Sequence, residues 1–248
     1  MIRISNIAKK FGDKEVLREV SLDFEQGQTT AVLGQSGCGK SVLLKIILRL
    51  MPFDSGKIIV DDIDTSGFSE QQMMAIRKRM GMLFQGSALF DSLSVFENLA
   101  FPLREHTGMT DGQIDRRVSE VLDFVDLENC ENLMPSELSG GMQKRVALAR
   151  ALITNPDYIF FDEPTTGLDP ITSRTINKLI KRVHDTIGST LIVVTHDIKS
   201  AAEVAQKITL LHQGRIHFEG DYRDFCASQD DFIKAFRSAR KENMEDGQ

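Results

Sequence analysis

Eight residues, Gly34-Gln35-Ser36-Gly37-Cys38-Gly39-Lys40-Ser41, restrict the fold of this chain more than any other stretch. Their spacing is G-x-x-x-x-G-K-[ST], that of a phosphate-binding loop. Before them stands Thr29-Thr30-Ala31-Val32-Leu33, β-branched and apolar, which predicts a buried strand. After them stands Val42-Leu43-Leu44-Lys45-Ile46-Ile47-Leu48, apolar on most sides, which predicts a buried helix. In that context glycines let backbone N–H groups curl around phosphate oxygens, and the helix N-terminus adds its positive end. Lys40 is then placed to reach the β- and γ-phosphates and Ser41 to ligate Mg²⁺. A chance glycine turn would not carry both flanks.

The length, 248 residues, suits one large α/β domain with an insertion, or two small ones. The formal net charge of −6 excludes the whole chain as an electrostatic nucleic-acid binder, though not a local basic patch. Cys38, Cys130 and Cys226 are far apart, without zinc-like spacing, and their odd number argues against a disulfide framework. Free thiols fit a reducing cytosol. Cys38, inside the loop, reads as a small filler rather than a functional thiol. No run approaches the length of a membrane span, and residues 1–10 lack a signal-peptide pattern. The expectation is a soluble protein that reaches a membrane only through a partner.

Alternation at Ile2, Ile4 and Ile7, then at Val16, Val20, Leu22 and Phe24, predicts strands on either side of a turn at Phe11-Gly12. Glu25-Gln26-Gly27-Gln28 reads as a hairpin-type loop, so an antiparallel layer is expected before the first crossover. By position Phe11 is either a platform for adenine or a core aromatic at a turn. Residues 57–60 read as a strand and 61–67 as a turn-rich loop. Ser69-x-x-Gln72 is a capping box opening a helix to Arg79, and Met80-Gly81-Met82-Leu83-Phe84 is a short strand closed by Gln85-Gly86. Residues 87–104 are dense in Leu and Phe, which suits either core or a contact face for another protein. Thr110-x-x-Gln113 opens a helix with Ile114, Val118, Val121, Leu122 and Val125 on one face. A loop then leads to Leu138-Ser139-Gly140-Gly141-Met142-Gln143 and a helix over 144–153. Helices between strands here predict a small helical subdomain over 86–153.

Tyr158-Ile159-Phe160-Phe161-Asp162-Glu163 is an apolar strand ending in two carboxylates. Asp162 closes it in the manner of an aspartate that holds Mg²⁺ in phosphate-loop NTPases. Glu163 is placed to polarise an attacking water as general base. An apolar stripe over 176–187 predicts a helix, and Leu191-Ile192-Val193-Val194-Thr195 a buried strand ending at His196-Asp197. Residues 208–211 and 215–218 form a last hairpin about Gln213-Gly214. Ser139-Gly140-Gly141 before a helix suits an anion, although Ser-Gly-Gly also occurs in ordinary loops. His196, taken alone, is more often a satisfied polar residue at a strand end. In the tail, Asp230 is placed to cap a helix carrying Phe232, Phe236 and Ala239 on one face.

The order of residues 34–41, Gln85, Leu138-Ser139-Gly140-Gly141, Asp162-Glu163, Gly167-Leu168-Asp169 and His196 resembles the nucleotide-binding subunit of an ABC transporter. The resemblance covers about residues 1–220. It implies an α/β P-loop NTPase core of RecA-like type, with an N-terminal antiparallel β-layer and an inserted α-helical subdomain. One ABC ATPase domain would span 1–248: a core of 1–85 and 154–222, the helical subdomain of 86–153, and a C-terminal helical extension over 223–248. It implies ATP and Mg²⁺ as cofactors and a head-to-tail homodimer with two ATP molecules at the interface. Residues Gly34, Gln35, Ser36, Gly37, Cys38, Gly39, Lys40 and Ser41 would bind phosphate on one subunit. Ser139, Gly140 and Gly141 would close on the γ-phosphate from the other, with Asp169 working across the dimer. Gln85 would contact Mg²⁺ or water and relay to a membrane partner. His196 would hold the γ-phosphate, and Phe11 matches the aromatic that stacks on adenine. Met142 departs from the family, which more often has Gln there.

Three strings resemble the narrower Mla/Mce branch: Ser41-Val42-Leu43-Leu44-Lys45, Leu83-Phe84-Gln85-Gly86-Ser87-Ala88-Leu89-Phe90-Asp91-Ser92-Leu93, and Gly141-Met142-Gln143-Lys144-Arg145-Val146-Ala147. That branch drives phospholipid or other lipid movement between bacterial membranes. Its implied partners are membrane permease subunits, an MCE protein and often a STAS-domain protein, with the ATPase at the cytoplasmic face of the inner membrane. The alternatives are the ATPase of a polar amino-acid importer and a non-transport ABC ATPase. The latter usually carries two nucleotide domains or a long coiled coil, and this chain shows one domain and no heptad run.

Overall fold

A computed structural model describes residues 1–242. Among these residues ten strands form two sheets. The first has the order β2-β1-β4-β5 and is antiparallel, built from β1 (Ile2–Phe11), β2 (Lys14–Phe24), β4 (Ser55–Val60) and β5 (Ile63–Asp64). The second has the order β10-β9-β3-β8-β7-β6. It comprises β3 (Thr29–Leu33), β6 (Met80–Leu83), β7 (Tyr158–Asp162), β8 (Thr190–Thr195), β9 (Lys207–His212) and β10 (Arg215–Gly220). Only β10 runs antiparallel in it.

The parallel strands β3, β7 and β8 are buried along their whole length, because helices or a second sheet cover both faces. Period-two alternation divides their side chains between cores. Phe160, Ile192, Val194 and Val32 face α1 (Lys40–Ile47) and the antiparallel sheet. Ile159, Phe161, Leu191 and Val193 face the opposite core. That core is filled by α3 (Val95–His106), α4 (Asp111–Phe124), α5 (Gly140–Leu152) and α6 (Pro170–Ile187). A third cluster joins Ala31, Leu33, Ile208 and Leu210 to Ala201 of α7 (Ile198–Val204) and Phe225 of α8 (Tyr222–Ala227). Ile233 and Phe236 of α9 (Asp231–Glu242) complete it. This is the P-loop NTPase fold, with the antiparallel layer and the helical insertion between β6 and β7 that the sequence predicts.

The structure departs from the sequence expectations in several places. Residues 25–28 form a turn, with Gln28 N–H donating to Glu25 O at 3.3 Å, but not a hairpin. β2 pairs with β1, whereas β3 pairs with β8 and β9, so the turn carries the chain from one sheet to the other. The loop at 61–67 contains β5. The helix opened by Ser69, α2 (Glu70–Arg77), stops two residues short of Arg79. Its capping box forms, and Ser94 and Glu97 form another that opens α3. At Thr110, Gln113 Oε1 accepts from the backbone N–H at 2.8 Å and the hydroxyl at 3.2 Å.

α5 begins at Gly140, four residues earlier than expected, because Ser139 Oγ accepts from Met142 N–H at 3.3 Å and caps it. In the tail, Asp230 Oδ1 caps α9 by accepting from Ile233 N–H at 2.9 Å. Ile233 joins Phe236 in the core, while Phe232 lies against the ring of His212, with centroids 3.6 Å apart. Phe236 of the expected stripe is therefore core; the side chain of Ala239 and residues 243–248 lie outside the described residues.

Candidate functional site

The parallel sheet gathers distant segments at one edge. Leu33 is level with Thr195, Val194 with Asp162, and Phe161 with Leu83, so the C-terminal ends of β3, β8, β7 and β6 lie side by side. The loops that follow them carry residues 34–39, His196, Glu163 and Gln85. This is where ligands sit in open α/β sheets. Alternation in β7 puts Asp162 on the same face as Phe160, toward α1. There Ser41 Oγ donates to Asp162 Oδ1 at 2.7 Å.

The turn into α1 requires glycine. Gly39 precedes the helix at φ 110, and a Cβ there would lie 2.9 Å from Leu17 Cδ2 and 3.1 Å from Val16 O. Lys40, only 5 % exposed, donates from Nζ to Gly34 O at 2.9 Å and Gln35 O at 3.0 Å. Its ammonium also lies 3.4 Å from Glu163 Oε1. Cys38 is half-buried against the core beneath α1, and burial pushes its thiol pKa up, as suits a filler.

Glu163 is 7 % exposed and adopts φ 50, a strained conformation for a side-chain-bearing residue. Neighbours hold its carboxylate. Thr166 Oγ1 donates to Oε2 at 3.0 Å, and His196 Nδ1 lies 2.7 Å from the same oxygen. An ionised carboxylate only accepts, which puts the proton on Nδ1 and leaves Nε2 for another partner. Ser36, Gly37, Lys40, Ser41, Gln85, Glu163, Thr166 and His196 line one cleft of about 440 Å³, with Val16 at its side.

Ser41 Oγ, the Asp162 carboxylate and the Gln85 amide offer oxygen donors, the set a hard cation such as Mg²⁺ takes. Among the described residues no group of three His, Cys, Asp or Glu could hold a metal by itself. A phosphate-bridged Mg²⁺ requires only one or two carboxylates.

Other expected residues lie elsewhere. Phe11 sits at the turn between β1 and β2, 46 % exposed, with Lys9 Nζ 5.3 Å from its ring centre; Val16, not Phe11, lines the cleft. Ser139 and Gly140 are exposed and Gly141 half-buried at the start of α5, outside the cleft lining. Asp169 caps α6, accepting from Ile171 N–H at 2.9 Å and Thr172 N–H at 3.0 Å. The bond from the Thr172 hydroxyl, followed by that from its backbone N–H, lowers the Asp169 pKa. A Cβ on Gly141 would lie 2.7 Å from Thr172 Cγ2, so the two regions adjoin through one threonine.

The sequence reading missed Thr166 and Lys144. A hydroxyl three residues beyond Glu163 was the available signal for Thr166. Lys144 is 4 % exposed on α5, and burial pushes its pKa down.

Residues 17–166 match the family described as ABC transporter. The intermembrane phospholipid transport system ATP-binding protein MlaF of Haemophilus influenzae is 42 % identical over 93 % of this chain and 87 % of its own. The methionine import ATP-binding protein MetN of Clostridioides difficile is 36 % identical over 97 % of this chain and 73 % of its own. Among solved structures, a dimeric post-hydrolysis ATP-binding cassette bound to ADP and Pi superposes with a TM-score of 0.82. It is 34 % identical, covering 89 % of this chain and 98 % of that one.

Proposed function

The chain belongs to the ABC transporter family and hydrolyses ATP, and from that premise we propose that it powers a bacterial complex moving phospholipid or a related lipid between membranes. The name of the Haemophilus influenzae relative supports this reading, as do the three strings that resemble the Mla/Mce branch. The importer reading has a relative in MetN, at lower identity.

The observation that carries the chemistry is the buried Glu163 carboxylate, held by Thr166, His196 and Lys40 at the cleft wall. In the proposed roles, the backbone of 34–39 and Lys40 bind the phosphates. Mg²⁺ held by Ser41, Asp162 and Gln85 would neutralise phosphate charge. Glu163 orients water and takes its proton. With Nδ1 on Glu163, His196 has Nε2 left for the γ-phosphate. Phe11 stacks on adenine.

Ser139, Gly140, Gly141 and Asp169 lie outside the cleft lining. That supports a head-to-tail homodimer in which each copy closes the other's site over ATP; the structural neighbour, bound to ADP and Pi, is itself dimeric. Among the described residues no helix is long and apolar enough to cross a membrane. We place the chain at the cytoplasmic face of the inner membrane, on permease subunits, with a STAS-domain protein and an MCE protein as further partners. The helical subdomain of 86–153 meets the permease. Within 87–104 exposure separates the residues that suit the core reading from those that remain available to the contact-face reading. Val95, Leu99 and Leu103 are core, while Phe90 and Phe101 are 46 % and 44 % exposed and touch edge to face at 5.4 Å.

Glu163→Gln tests the mechanism. It keeps the phosphate contacts and removes the base, so ATP binding persists while phosphate release falls at least about 100-fold. Size-exclusion chromatography with ATP should show an accumulated dimer. Wild-type phosphate release would refute the assignment. Co-purification from membranes, with identification of bound subunits and lipids, tests the lipid reading.

A further inference from the structure

Between β6 and α3 the chain forms no regular element, yet it is held at several points. Ser87 and Ala88 adopt φ 61 and φ 52, two consecutive side-chain-bearing residues in the left-handed region. Such a pair persists only where its surroundings over-determine it. From α3, the fully buried Asn98 donates from Nδ2 to Phe90 O at 3.1 Å and Leu93 O at 3.0 Å, and its Oδ1 accepts from Phe90 N–H at 2.8 Å. From α5, Arg150 donates to Ser87 O at 3.2 Å and lies 5.6 Å over the Phe90 ring.

Lys144 of α5 makes the remaining tie. Its Nζ donates to Phe84 O at 3.3 Å and to Gln85 O. Among the described residues it forms no salt bridge; the charge of Asp162 reaches it but offsets only part of the effect of its burial. A buried ammonium held by neutral carbonyls is a destabilising way to fill space, since an apolar side chain would fill it better. The bonds it makes fall on the residue that enters the cleft and on the one before it.

We propose that Lys144 is a positioning residue for ATP hydrolysis: by gripping the carbonyls of Phe84 and Gln85 it sets the backbone from which the Gln85 side chain works. The proposal rests on the reading of Gln85 as a contact to Mg²⁺ or water. It also joins that contact to the helix whose first turn carries Gly140 and Gly141, so the setting of Gln85 follows the placement of α5.

A double-mutant cycle on the full chain tests it, reading kcat and KM for ATP together with binding of a fluorescent ATP analogue. Lys144→Met should lower kcat about tenfold, the lower end for losing a residue that orients a metal-site group. KM and analogue binding should stay within about twofold of wild type, since the phosphate loop is untouched. Lys144→Arg should recover part of the loss. In a Gln85→Ala background, Lys144→Met should produce no further fall, because its route is already removed. Gln85→Ala at wild-type turnover would overturn the reading of Gln85 itself. A damaged Gln85→Ala with an undamaged Lys144→Met, or losses that multiply in the double variant, would overturn the proposal for Lys144 alone. If Lys144→Met does not fold, Lys144→Gln, too short to span both carbonyls, serves in the same cycle.

Discussion

Two glycines of the loop at 34–41 should respond differently to the same substitution. Gly37 has φ 76 and nothing within 4 Å of an added Cβ. Gly37→Ala therefore carries only the left-handed backbone term, about 1–2 kcal/mol. Gly39 has φ 110, and its added Cβ would meet Leu17 Cδ2 at 2.9 Å and Val16 O at 3.1 Å. Leu17 is 1 % exposed, so its methyl has little room to retreat. Overpacking of a filled core adds about 1–3 kcal/mol to the backbone term. Gly39→Ala should thus be less stable than Gly37→Ala by about that margin. Urea titration of both variants without nucleotide measures it, provided m is unchanged. Equal stabilities would refute the contact argument and leave backbone conformation as the whole effect.

The remaining tests concern the surface and the acid limb. Phe90→Ala should weaken capture of the chain by its permease in a pull-down while leaving nucleotide binding by the free subunit intact; undiminished capture would return Phe90 to the packing of its own subdomain. Asp61 lies 2.7 Å from the N-terminal amine and bonds Arg79 and Tyr158. Burial raises its pKa, but the bonds from the amine, Tyr158 and Arg79 outweigh that and bring it down to about 2. A depressed carboxylate contributes stability above its unfolded pKa, about 3.9, and loses it as pH falls through the folded value. The stability gap between wild type and Asp61→Asn should therefore close between about pH 4 and pH 2. A gap constant across that range in denaturant titrations would refute the network's electrostatic role.

Much of this arrangement is legible in local pattern. β7 is readable because Tyr158 to Phe161 form an unbroken apolar run, and period two then assigns Asp162 its face. The loop at 34–41 is readable because strand and helix composition flank it. What local pattern omits is the choice of partner. Residues 25–28 look the same whether β3 returns to β2 or crosses to β8, a choice settled by contacts far along the chain. The capping box at Ser94 and Glu97 stood in the sequence but was obscured by the apolar density around it. Lys144 was illegible for a different reason. A lysine on a helix ordinarily marks a solvated face, and only the path of residues 84–93 over α5 buries it.

The placement of β3 has a consequence for synthesis. β1 and β2 can pair as soon as they leave the ribosome, being joined by a short turn. β3 follows at once but pairs only with β8 and β9, which begin at Thr190 and Lys207. At about 5–20 residues per second, roughly 160 residues of translation separate it from its first neighbour, on the order of 8–30 s. Through that interval a β-branched strand, buried along its whole length in the finished fold, has both edges unpaired, and such edges recruit other chains. The nascent chain thus carries the loop at 34–41 on an unfinished strand, and chaperone dependence should be concentrated in the window between the emergence of Leu33 and that of Thr195.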